Sequence, residues 1–150
     1  MLSIKFVYGF LPVPVINCPL LEKGEGRTYL FPYPLIFIRK SGDKVYDEYL
    51  LEHELEHARQ GFAGFLLFVP DGPATELEAT KAGLKKIYRK YPYHEFERLL
   101  ETASQWLADE HFFNKEKVKK YLRKEITGRE EPLSKEDQLL RDFFIEVFGE

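Results

Sequence analysis

A single cysteine, Cys18, in 150 residues rules out an intrachain disulfide framework and any multi-cysteine zinc module within one chain. Metal ligands, if the chain has them, must be histidines and carboxylates. Methionine and tryptophan also occur once each, asparagine twice and glutamine three times. Scarcity of these labile residues beside plentiful Lys, Arg and Glu is the bias of thermophilic proteins. No charge of one sign dominates: 22 basic against 25 acidic residues leave a net charge of -3, with the signs alternating along most of the chain. That leaves no basic field for a phosphate backbone, so nucleic acid is not an expected partner. Long hydrophobic runs are missing too. The apolar stretch at residues 61–69 falls far short of the roughly 20 residues a membrane span needs. The apolar N-terminus carries one early Lys, is interrupted by Pro12 and Pro14, and lacks a small-residue cleavage site, which argues against a signal peptide. The expectation is a cytoplasmic protein with no membrane partner.

What is present is a globular composition, with 44% hydrophobic, 15% aromatic and 31% charged residues. Length and the lack of repeats or linkers predict a single domain over residues 1–150, β-rich over 1–46 and helical over 47–150. SIKFVYGF, TYLF (28–31) and PLIFIRK (34–40) read as strands, with a proline-punctuated loop after the first and a turn at SGDK (41–44). Helices follow over about 47–63, 75–90 and 94–109. Asn114 then caps KEKVKKYLRKEIT, which Gly128 ends, and Ser134 followed by Asp137 starts a last amphipathic helix. The fold class is α+β: a small, mostly antiparallel sheet, an active-site helix and about four further helices.

LLEHELEHARQGF, residues 50–62, carries the chemistry. On a helix, residues four apart lie only about 40° apart in projection, so His53 and His57 can aim two imidazoles at one ion. Glu54 sits about 100° from His53, beside the pair rather than among the ligands. This is H-E-x-x-H: two imidazoles hold Zn²⁺, which lowers the pKa of a bound water towards ~7, and the glutamate takes its proton. A solvated helix with two surface histidines is the plainer alternative. The flanking pattern favours the first reading, because Leu51, Leu55, Ala58 and Phe62 form one apolar stripe while Tyr46, Leu50, Gln60 and Gly61 share the histidine face.

A catalytic zinc keeps three protein ligands and an open position. Glu76, Glu78, His94 and His111 are the downstream candidates for the third. In PATELEATKAGLKKIYRKY the helical phase puts Glu76 with Thr80, Gly83, Leu84 and Ile87 on the inward face. Glu78 falls with Lys81, Lys85 and Arg89 on the solvated side, and Thr75 with Glu78 reads as a capping box. Glu76 is the preferred ligand and Glu78 its named rival. As oxyanion donors, Tyr88, Tyr91, Tyr93, His94 and His111 all remain open, with core packing the simpler role for each aromatic. Arg59 and Gln60 are polar neighbours, and Gln60 lies one turn past His57, where it can support that ring.

With HELEHARQ at 53–60 and ELEAT at 76–80, the chain resembles the glutamate-ligand zincin metallopeptidases, the gluzincins, and more narrowly a group of small bacterial and phage metallopeptidases. The resemblance covers about residues 34–90. It implies a zincin-like fold, His53, His57 and Glu76 as zinc ligands, Glu54 as general base, and a peptide or protein substrate. It also implies an edge strand beside the active helix that holds extended substrate, for which PLIFIRK is the candidate. Many gluzincins place Asp or Asn four residues after the ligand Glu, where this chain has Thr80. The alternative function is a catalytically silent zinc-binding structural or interaction domain on the same scaffold.

Overall fold

The computed structural model describes residues 2–30, 33–67 and 72–149, with the backbone alone described over 63–67. Four strands, β1 (Leu2–Val7), β2 (Leu11–Asn17), β3 (Glu25–Tyr29) and β4 (Leu35–Arg39), precede five helices, α1 (Lys44–Leu67), α2 (Pro73–Lys90), α3 (Tyr93–His111), α4 (Lys115–Thr127) and α5 (Lys135–Phe148). The class is α+β, as expected. The contacts divide the chain into two compact units, residues 1–83 and 84–150, each described below by itself.

In the first unit the sheet order is β1-β2-β4-β3. β1 with β2 and β3 with β4 are antiparallel, while β2 with β4 is parallel, so the sheet is mixed. The stretch expected to be a proline-punctuated loop is β2. Tyr8, Gly9 and Phe10 connect the two strands, with Tyr8 and Gly9 at φ of 51° and 72° in the middle of a turn that the Phe10 N–H closes on the Val7 carbonyl at 3.3 Å, the positive values a type I′ turn requires. The prolines fit the strand because of their parity. Even-numbered positions point their backbone groups towards β4, as Cys18 N–H donating to the Ile38 carbonyl at 3.0 Å shows. Pro12 and Pro14 therefore remove no bond to β1. They do offer β4 no N–H there, and its ladder with β2 is confined to Val15, Ile16 and Asn17.

β3 lies at Glu25–Tyr29, three residues ahead of the TYLF expectation, whose Phe31 falls outside the described residues. α1 starts at Lys44 rather than near Asp47, because Asp43 in the turn is its cap: Asp43 Oδ1 accepts from the Val45 and Tyr46 N–H groups at 2.9 and 3.1 Å. α1 crosses the sheet, and from Val45 to Phe62 none of its residues is exposed. Leu50, Leu55 and Ala58 are buried together with Val7, Val13, Val15, Ile36 and Ile38 of the sheet, a core whose fully buried aliphatic side chains each contribute about 1.5–3 kcal/mol.

In the second unit Phe96, Leu99, Leu100, Ala103 and Leu107 of α3 are buried with Val118 and Leu122 of α4. The expected caps are present: Asn114 accepts from Lys117 N–H at 3.0 Å, Gly128 ends α4 at φ 78°, and Ser134 accepts from Asp137 N–H at 3.1 Å.

Candidate metal centre

All three preferred ligands lie in the first unit, two on α1 and one on the first turn of α2. α2 begins at Pro73, whose missing N–H costs nothing at a first helical position. Thr75 is therefore the third residue of the helix and not its cap. Its hydroxyl accepts from the Gly72 N–H at 3.1 Å, which corrects the capping-box reading of Thr75 with Glu78. Ten residues further on, α2 presents Gly83 to Tyr49 of α1. A Cβ there would stand 2.7 Å from the Tyr49 ring, so glycine lets the two helices approach closely enough for Glu76 to reach the histidines.

His53 Nε2 and His57 Nε2 are 3.1 Å apart, His57 Nε2 and Glu76 Oε2 3.2 Å, and His53 Nε2 and Glu76 Oε2 3.4 Å. A tetrahedral ion with bonds of about 2.0–2.1 Å needs donors about 3.3–3.4 Å apart. The triangle therefore fits one face of such a tetrahedron, with the fourth vertex open. No other His, Cys or carboxylate cluster of this kind occurs among the described residues. His53 is buried, and the side chains of His57 and Glu76 are 15% and 24% exposed, so the donors are shielded yet reachable from one side. Burial acts to raise the Glu76 carboxyl, but the hydrogen bonds and charge of His53 and His57 outweigh it and hold the group well below the usual carboxylate range. For His57, burial acts to lower the ring, and the hydrogen bond and charge of Glu76 overcome it and raise the imidazole above its ordinary value.

The His57 ring is oriented from behind. Gln60 Oε1 lies 3.1 Å from His57 Nδ1, and Gln60 Nε2 donates to the Thr75 carbonyl at 3.0 Å, tying the ring to the start of α2. This leaves Nε2 facing His53 and Glu76. Tyr49, buried, holds its ring at a tilt 6.0 Å from the His53 ring. Burial pushes its phenol up in spite of the neighbouring Thr80 hydroxyl.

Glu54 points at β3. It is only 5% exposed, and the Thr28 hydroxyl stands 2.7 Å from its Oε2 and 3.0 Å from its backbone carbonyl. Burial pushes its carboxyl up, against the opposing pull of Thr28, His53 and His57. The carboxylate has room because position 26 is glycine: a Cβ there would lie 2.7 Å from Glu54 Cγ and from Oε1. Gly26→Ala is therefore expected to displace Glu54 from Thr28 and to cost about 1–3 kcal/mol of stability. Urea unfolding checks this, and an unchanged midpoint would mean that the carboxylate has another place to go.

Thr28 and Gly26 are the neighbours the sequence reading missed. Their signal is a glycine inside a strand, which marks close approach of another group, two residues from a hydroxyl on the same face. PLIFIRK is not the edge strand expected of it, since β4 lies between β2 and β3; the edge strand beside α1 is β3. Glu78 is half-exposed and paired with Lys81 at 2.7 Å. Arg59 pairs with Glu52 and Glu56 at 3.0 and 2.9 Å. His94 and His111 belong to the second unit, where His94 is exposed beside Glu95 and the His111 ring packs on Trp106. Tyr93 there is engaged with Glu97, and the Arg141 guanidinium lies over the Tyr88 ring at 4.3 Å. No helix among the described residues is long and apolar enough to cross a membrane. Compared with protein-family models, with curated proteins and with solved structures, the chain finds no match in any of the three.

Proposed function

We propose that the chain is a zinc-dependent hydrolase that cleaves peptide bonds, with His53, His57 and Glu76 as ligands and Glu54 as general base. The observation that carries this reading is the juxtaposition of the three-donor triangle with a buried carboxylate that is not part of it. Two imidazoles and one carboxylate suit Zn²⁺, which when bound makes water acidic near neutral pH and polarises a carbonyl. Glu54 accepts the proton of the attacking water and returns it to the leaving amine. Thr28 fixes the carboxylate that does so, and Gln60 holds the His57 ring with its Nε2 towards the other two donors. A peptide substrate is supported by the position of β3. Its outer edge has no strand partner among the described residues, and an extended peptide can add to it alongside Glu54. A cytoplasmic setting belongs to the same reading.

The test begins with protein purified without added metal. About one equivalent of zinc per chain is expected, and Glu76→Gln should lose it while Glu78→Gln keeps it. Zinc at a hundredfold excess over Kd should stabilise the protein by about 2.7 kcal/mol. A broad peptide library incubated with the zinc form should then yield cleavage products. Absence of zinc binding would end the metal reading, and an intact library with zinc bound would end the hydrolase reading.

A further inference from the structure

α5 is docked the wrong way round for a helix that closes a core. Setting Leu139 to zero, Phe143, Val147, Leu140, Phe144 and Phe148 follow at about 40°, 80°, 100°, 140° and 180°, while Arg141, Ile145, Gln138 and Asp142 occupy about 200–300°. An amphipathic helix ordinarily turns the first set inward. Here the second set, polar apart from Ile145, does the docking. Asp142 Oδ1 accepts from the Tyr93 N–H at 2.9 Å, Arg141 donates to the Tyr91 carbonyl at 3.1 Å, and Gln138 donates to the Leu133 carbonyl at 2.7 Å. The apolar set is exposed: Leu139 72%, Leu140 58%, Phe143 56%, Phe144 51%, Val147 51% and Phe148 71%. No residue of α5 is buried.

From this arrangement we infer that the chain forms a homodimer through α5. The six side chains expose roughly 700 Å² on one protomer, close to the ~800 Å² per partner of a standard specific interface. Scattered surface leucines do not make a contiguous patch of that size. A lipid surface is disfavoured by charge, because the helix carries Glu136, Asp137, Asp142 and Glu146 against only Lys135 and Arg141. A second copy needs no such compensation. The stripe is centred on Phe143 and Phe144, so a two-fold axis there pairs the helices antiparallel, sets aromatic against aromatic and opposes the two helix dipoles. The polar anchors to Tyr91 and Tyr93 hold the stripe outward in each protomer before they meet. The dimer is independent of the metal centre, whose residues all lie in the other unit.

The experiment is sedimentation of the full chain with and without zinc. At tens of micromolar the wild type should run at twice the 17.7 kDa chain mass. Leu140→Glu with Phe143→Glu should give a monomer with unchanged far-ultraviolet circular dichroism, since both side chains are already more than half exposed. Phe6→Glu, on the equally exposed β1, should remain dimeric. Should the double variant lose its helical signal, Phe143→Gln takes its place and must raise the dimer Kd at least tenfold. A monomeric wild type, a double variant that still dimerises, or a Phe6→Glu variant that does not, would each overturn the proposal.

Discussion

Glu54→Gln is expected to leave zinc bound at one equivalent while peptide cleavage falls by about three orders of magnitude, within the range removal of a general base produces. The amide copies the carboxylate in size and can still accept from the Thr28 hydroxyl, so the packing against Gly26 survives. What it cannot do is take a proton. If Glu54 acts only on the proton of the attacking water, the loss appears in kcat and in kcat/KM alike, with KM little changed, the signature of an interaction made in the transition state alone. Glu54 is not among the three clustered donors, which is why metal content separates its role from that of Glu76. Loss of zinc from Glu54→Gln would make it a ligand or a support for one; equal turnover would remove it from the chemistry. A pH profile sharpens the point. Any acidic limb that the Glu54 carboxyl gives to kcat/KM should be missing from whatever activity the amide retains.

How much of this was legible in the sequence depended on whether the determinant was local. The caps at Asn114, Gly128 and Ser134 are made by residues within four positions of their partners, and a sequence displays those directly. The helical phase that turns Glu76 inward and Glu78 outward is equally local, because it needs only 3.6 residues per turn. α1 starts three residues before the expected Asp47 because Asp43, whose surroundings read as a turn, is also the cap directly ahead of the helix. β2 was missed for a different reason. Two prolines argue against a strand unless it is known which neighbour each missing N–H would have faced, and that is a matter of sheet order. Sheet order also decided that β3 and not β4 is the edge strand, and so that Thr28 and Gly26 reach Glu54. The orientation of α5 was least legible of all: its apolar stripe is plain, but the stripe cannot say whether it faces its own chain or another.

In the second unit, Arg123→Ala is expected to lower stability by about 3 kcal/mol, the scale of breaking a buried ion pair by removing one partner. Arg123 is 5% exposed and sits at the middle of a polar chain. Its Nε and Nη2 donate to the two Glu97 oxygens at 3.0 and 2.8 Å, and its Nη1 donates to the Glu130 carbonyl at 2.9 Å. Glu97 also accepts from the Tyr93 hydroxyl, which in turn accepts from the Leu133 N–H at 3.1 Å. One guanidinium thus joins α3, α4 and the segment that leads to α5. Removing it leaves the Glu97 carboxylate half-buried without its cation, and the Glu130 carbonyl without its donor. At a urea dependence of about 2 kcal/mol/M, the unfolding midpoint should fall by more than about 1 M. Burial acts to raise the Glu97 carboxyl, but Arg123, with Tyr93 and Lys119, outweighs it and holds the group below its ordinary value. The sign follows: a carboxyl depressed in the folded state stabilises above its unfolded pKa, and that contribution is lost as pH falls through the folded value. The gap between wild type and Arg123→Ala should therefore be full at neutral pH and narrow below the ordinary carboxylate range. Arg123→Lys should recover only part of the loss, because an ammonium cannot bridge both Glu97 oxygens and the Glu130 carbonyl in one planar fork. A midpoint unchanged in Arg123→Ala would show that the second unit draws its stability from Phe96, Leu100, Leu107 and Leu122 alone, with the network free to dissolve.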